Sequence, residues 1–170
     1  MLSRGLAGAT LIVGVGVACV AAAARPARPI PPPHSAPVPA SPAADEIVTR
    51  TNAQRVSLEL SPLLRSGALM RAAQLHADQM AAANRMAHEL PGSMYPSLDS
   101  RLDAVGYRIR AAGENVAEGY PSSAAVVAGW MTSPGHRGNI VSTRYTEMGG
   151  GVTIAKNGRR FYVQVFASPR

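Results

Sequence analysis

The sequence predicts an α+β domain, with helices packed on a small antiparallel sheet that closes in a C-terminal hairpin. Three observations carry this expectation. Between residues 45 and 130 the apolar residues recur mainly at helical spacing. Beyond Tyr145 the period drops to two: Val152 and Ile154, then Phe161, Val163 and Val165, alternate with other residues. Between those runs lies Lys156-Asn157-Gly158-Arg159, and Asn-Gly is the strongest short hairpin signal, with positive φ expected at both turn positions. Helices first and a hairpin last make an α+β arrangement.

The elements follow in order. Ser41-Pro42 supplies an N-cap and a first-turn proline, and Asp45 and Glu46 suit the first turn of a helix running through Ile47, Val48, Asn52 and Arg55. Leu60-Ser61-Pro62-Leu63 reads as a loop. Ser66-Gly67 opens a second helix that places Leu69, Ala72, Ala73, His76, Met80 and Ala83 on one face. His76 on that stripe is expected to be a hydrogen-bonded core or boundary residue. Leu98, Leu102 and Val105 make a third, short helix stopped by Gly106. Tyr107-Arg108-Ile109-Arg110 suggests a strand. Ser122 or Ser123 caps a fourth helix that buries Val126, Val127 and Trp130, and Gly149-Gly150-Gly151 implies close backbone approach or a bulge.

The N-terminus is of another kind. A basic start at Arg4, an uncharged apolar stretch and Ala22-Ala23-Ala24 read as a secretory signal peptide over residues 1–24, in preference to a membrane anchor. Cys19, the single cysteine, sits in a lipobox-like context, so lipidation is the variant form of this expectation. Residues 25–44, rich in Pro and Ala, read as an extended linker, and residues 45–168 as the domain. The domain has no disulfide available and is large enough to fold without one.

The chain carries a formal charge of +7, and residues 45–170 hold fourteen basic and ten acidic residues. These are scattered rather than clustered, so no nucleic-acid partner is expected.

The chemistry sits in two blocks, Gly113-Glu114-Asn115-Val116-Ala117 and Trp130 through Ile140, with His88 upstream in Met86-Ala87-His88-Glu89-Leu90. Glu114 falls in a turn-prone link, where it serves either as a loop-pinning acceptor or as a ligand or base. Ser133-Pro134-Gly135-His136 looks like a helix start, with Ser133 as cap. His136 in the first turn then favours neutral imidazole, the metal-binding form.

With these motifs the chain resembles the CAP superfamily (cysteine-rich secretory, antigen-five and pathogenesis-related proteins) in its disulfide-free bacterial form, the SCP domain. The resemblance covers residues 45–168. It rests on Asn52-x-x-Arg55, Leu60-x-Pro62-Leu63, the Ala72-to-Met80 helix, Gly113-Glu114-Asn115-Val116, Trp130 to Ile140, Glu147-Met148-Gly149 and Tyr162 to Phe166, all in order. It implies an α–β–α sandwich and a cleft of two histidines and two glutamates. His88, Glu114 and His136 match three of the four. Ser133 stands where the second glutamate is expected, and Thr51 where relatives carry a further histidine.

The expected function is therefore an exported binding module, acting as a monomer. Its cleft comprises His88, Glu114, Ser133 and His136, and the metal ligands would be His88 and His136. The expected cofactor is a divalent metal such as zinc or none. The expected partner is an envelope, lipid or peptide ligand, with membrane contact only through the signal peptide or lipidation. A metal-dependent hydrolase or peptidase is the alternative, needing help from Glu89, Glu118 or another acid. A Ser133–His136 serine hydrolase ranks lower, because a capping Ser133 has its hydroxyl engaged and no acid orients the imidazole. A purely structural envelope protein is the third reading. Binding is favoured over catalysis.

Overall fold

The computed structural model describes residues 41–170. The expected signal peptide, lipobox at Cys19 and linker up to Ala40 lie outside the described residues. From Ser41 the element order is α1 (Pro42–Ser57), β1 (Leu64–Arg65), α2 (Gly67–Ala83), α3 (Leu98–Ala104), β2 (Ile109–Glu118), α4 (Ser123–Thr132), α5 (Pro134–Val141), β3 (Glu147–Ile154) and β4 (Arg160–Pro169).

The local signals act as the sequence suggests at most boundaries. The Ser41 hydroxyl accepts from Ala44 N at 3.2 Å, and Ser122 accepts from Ala125 N at 3.1 Å. The reciprocal capping of Ser97 and Ser100 starts α3, and Gly106 lies at φ 71° just beyond its end. Arg55, buried at the end of α1, donates to Ser61 O, Ile140 O and Ser142 O, so one guanidinium closes the last carbonyls of α5. Asn52 exchanges two hydrogen bonds with the main chain of Leu63, holding the loop between α1 and β1. The Asn52-x-x-Arg55 pair is thus a loop and helix-end clamp.

The four strands lie in the order β1-β3-β4-β2. The β2–β4 and β3–β4 pairs are antiparallel, while the two-residue β1 pairs parallel to β3, which makes the sheet mixed. Helices cover both faces. One apolar cluster joins Leu69, Ala72, Ala73, Met80 and Leu102 to Phe161, Val163 and Val165, and the other joins Ile47, Val126, Trp130 and Ile140 to Tyr162 and Phe166. β4 is therefore buried on both faces, so Tyr162 and Phe166 between its core residues are apolar as well, while the buried Gln164 and Ser168 are hydrogen-bonded.

Gly149-Gly150-Gly151 is a site of close approach without a bulge. A Cβ on Gly149 would lie 2.2 Å from Leu69 C and one on Gly151 2.4 Å from Ala73 C, both in α2. On the opposite face, a Cβ on Gly150 would lie 2.5 Å from Ala44 O in α1. Two helices thus press on one strand from both sides.

The structure corrects the expected hairpin turn. Gly158 has φ 83°, but Asn157 stays in the ordinary negative-φ region. Gly158 N bonds to Ala155 O and Ala155 N to Arg159 O, each at 2.8 Å. This is a three-residue loop in which only the glycine takes the left-handed conformation. Ala83, placed on the apolar face of α2 by its spacing, is exposed because the helix overruns the sheet there.

Candidate functional site

Glu114 lies inside β2 rather than in a link, paired with Val165 of β4. This corrects the sequence expectation: the glycine before it is a packing requirement, not a turn. A Cβ on Gly113 would lie 2.4 Å from Tyr145 Oη and 2.9 Å from Asn139 Oδ1.

A strand sends neighbouring side chains to opposite faces. Glu114 turns toward α2 and α3, where its Oε2 accepts from Arg101 Nη2 at 2.8 Å. Its Oε1 accepts from His88 Nδ1 at 3.1 Å, and His76 Nε2 stands 3.7 Å away. Asn115 turns to the other face and donates to His136 O at 3.0 Å and Gln164 Oε1 at 2.9 Å. Adjacent residues of one strand thus fix the two histidines from opposite sides of the sheet, one by its ring and the other by its main chain.

Two surrounding networks hold this arrangement. Asn139 donates to Asn115 Oδ1 and Glu114 O, and Gln164 donates to Thr51, which itself donates to Ile47 O. Thr51 is fully buried in that network and serves packing rather than the cleft. Arg101 also donates to His88 O at 3.3 Å, so the loop bearing His88 is tied to α3.

Exposure separates the roles. The Glu114 side chain is 4% exposed and that of His88 58%. Since a carboxylate accepts, His88 Nδ1 carries the proton and its Nε2 is left for solvent or a ligand. The Glu114 hydrogen bond raises the His88 pKa above 6.5, outweighing partial burial. Burial lowers the pKa of His136, and the neighbouring charge of His88 lowers it further. The direction matches the expectation for a first-turn histidine, although its causes are burial and the second imidazole. His76 is the hydrogen-bonded core residue foreseen, donating from Nε2 to Ala87 O at 2.8 Å. Burial lowers its pKa despite the nearby Glu114.

A cleft of about 370 Å³ opens beside these groups, lined by residues including Met86, Val116, Ala117, Tyr120, Trp130, Ser133 and His136. His88 and Glu114 are not in that lining, and His88 is coupled to it through the effect of its charge on His136. The four expected residues therefore form two linked parts, His88 with Glu114 and Ser133 with His136. Ser133 is the N-cap of α5 by position, but its hydroxyl makes no cap hydrogen bond, contrary to expectation. Glu118 lines the cleft and pairs with Arg159 at 3.2 Å, and Glu89 is exposed.

Both Glu114 oxygens are engaged, which leaves two imidazoles as donors toward a metal. Among the described residues, no group of three or more His, Cys, Asp or Glu is placed to hold an ion. Arg101 is the residue that sequence reasoning missed. Its one outward signal is an arginine in a short amphipathic helix, which ordinarily faces solvent.

A family model described as the cysteine-rich secretory protein family, CAP, matches residues 48–166. The chain belongs to the CAP family. YkwD, an uncharacterized protein of Bacillus subtilis strain 168, is 34% identical over 117 residues, covering 69% of this chain and 45% of its own. YlbC, an uncharacterized membrane protein of the same organism, is 33% identical over 121 residues, or 71% of this chain and 33% of its own. This CAP chain spans less than half the length of either relative.

Among solved structures, an extracellular SCP-domain protein from Bacillus anthracis matches with TM-score 0.65 and 28% identity, over 74% of this chain and 40% of that one. An outer surface protein from Borrelia burgdorferi matches with TM-score 0.67 and 20% identity, over 74% and 92%. The latter likeness is one of fold. The CAP fold and the α–β–α layering inferred from the sequence are those of the structure.

Proposed function

We propose that this CAP domain is an exported binding module whose cleft, flanked by His88 and His136, takes an envelope, lipid or peptide ligand. The observation that carries this reading is the full engagement of Glu114. With Oε2 on Arg101 and Oε1 on His88, and its side chain 4% exposed, it positions an imidazole and is shielded from a substrate or water. A hydrolase would need another base. Glu118 is paired with Arg159, and among the described residues no carboxylate forms an ion pair with His136. What supports binding is an apolar-walled cleft with the Ser133 hydroxyl and the His136 imidazole in its lining.

A divalent ion such as zinc would be held by His88 Nε2 and His136, with Glu114 orienting the first ring from behind. Two protein ligands make a weak site, short of the three of a catalytic zinc. Export is supported by the signal-like residues 1–24 and by similar proteins described as extracellular or outer-surface. Zinc titration by calorimetry, in wild type and in the His88→Ala, His136→Ala double variant, tests the metal part. Binding lost in the variant supports it, and equal binding in both removes it.

A further inference from the structure

The outer strand of the sheet, β2, forms the floor of the cleft at Val116, Ala117 and Glu118. Gly119 N bonds to Arg160 O of β4 at 2.9 Å. In an antiparallel pair the main-chain groups face the partner strand at every second residue. The even-numbered residues of β2 therefore turn their N–H and C=O groups outward. Three of those carbonyls are already taken. Ala112 O accepts from Tyr145 Oη at 3.3 Å, Glu114 O from Asn139 Nδ2 at 3.2 Å and Val116 O from Trp130 Nε1 at 3.3 Å.

Each cap is a donor. It satisfies a carbonyl and does nothing for the N–H of the same residue. At Val116 the edge thus presents a donor without a matching acceptor, while at Glu118, the other even-numbered residue beside the cleft, both the N–H and the carbonyl point outward. The side chains at the rim extend the same bias. The Ser133 hydroxyl makes no cap bond, His136 has no carboxylate partner, and the Glu118 carboxylate is neutralised by Arg159. Met86 and Trp130 supply apolar wall on either side. A ligand that brings several N–H groups to this edge would find a single main-chain acceptor beside the cleft, at Glu118, and burying the rest unpaired is costly.

Resting on the binding reading above, we infer that the cleft selects a carboxylate carried on a small apolar body, its oxygens accepting from the β2 edge N–H groups and the Ser133 hydroxyl. The shared chemistry has two sources, the carboxyl end of a peptide or an aliphatic acid. The probes are N-acetyl-leucine, its carboxamide N-acetyl-leucinamide, and hexanoate, each titrated into the 15N-labelled chain while backbone amide signals are followed.

The expected result is saturable downfield movement of the Val116 and Glu118 amide protons with the carboxylates. The carboxamide should bind at least about tenfold more weakly, as loss of a charge-assisted hydrogen bond dictates. Met86→Glu, at an exposed position on the cleft wall, should weaken carboxylate binding to a similar degree while the remaining signals keep their positions. Tighter binding of N-acetyl-leucine than of hexanoate assigns the peptide source, and the reverse order the aliphatic one; both support the inference. Equal affinity for acid and carboxamide overturns it, as does movement of Met86 and His136 signals without the edge amides, although the cleft would then still be a binding site. No response to any carboxylate overturns the inference too, and the zinc titration then judges the wider reading independently.

Discussion

Arg101 Nη2 donates to Glu114 Oε2 at 2.8 Å between two buried side chains, so one buried cation neutralises the buried carboxylate that orients His88. Removing one partner of such a pair leaves the other charge uncompensated in the interior. Arg101→Met is expected to cost about 3–5 kcal/mol of stability by chemical denaturation. Adding Glu114→Gln should recover a large part of that loss. A double variant no more stable than Arg101→Met alone would show that Arg101 acts through its carbonyl contacts with the loop instead.

The three histidines of the described residues give stability opposing pH dependences. His76 has a folded pKa below 6.5, so the unfolded chain takes up the proton first and stability falls as the pH drops below 6.5. His136 acts in the same direction. His88 has a raised folded pKa, so its contribution is full below 6.5 and disappears as the pH rises through the raised value. Melting temperatures between about pH 5 and 8 should therefore fall toward acid less steeply in His76→Gln than in wild type, and more steeply in His88→Gln. Parallel profiles for all three proteins would sink this assignment.

Glycines in this fold should divide sharply. Gly149→Ala drives a Cβ to 2.2 Å from the α2 main chain, which cannot yield as a side-chain tip would. Its expected cost is at or above the top of the ~1–3 kcal/mol typical of overpacking. Gly138 lies within α5 with open space around it, so Gly138→Ala should stabilise by about 0.5–1 kcal/mol through helix propensity. Thermal unfolding of the two variants checks both signs.

Ser133 lines the cleft with His136, and its hydroxyl does not cap the helix. Ser133→Glu would therefore supply a carboxylate ligand without forfeiting a cap. If His88 and His136 hold zinc, this variant should bind it at least about tenfold more tightly by calorimetry, within the range that supporting carboxylates contribute. Unchanged affinity would argue against a metal at this rim.

The legible parts of the molecule were those with local causes. Ser41, Ser122 and Gly106 mark helix ends through their own hydrogen bonds or φ, and the Gly149–Gly151 run implies close approach or a bulge, of which the structure has the first. The less legible parts depend on partners distant in sequence. Glu114 was placed outside a strand because its pairing with Val165 is set by the whole sheet. Arg101 gave no sign of burial, since only tertiary structure brings it against Glu114. His76 read correctly as a core histidine, yet its nearness to Glu114 could not be inferred from its stripe on α2. Asn157 shows the limit of a dipeptide rule: the three-residue loop asks for only one left-handed residue.

The caps on β2 have one more consequence. A strand at the margin of a sheet is a template on which another chain can lay itself down. Tyr145, Asn139 and Trp130 occupy three outward carbonyls along that margin, so an incoming strand cannot complete a continuous ladder there. Trp130, which also lines the cleft, thereby joins Tyr145 and Asn139 in guarding the domain against edge-to-edge self-assembly.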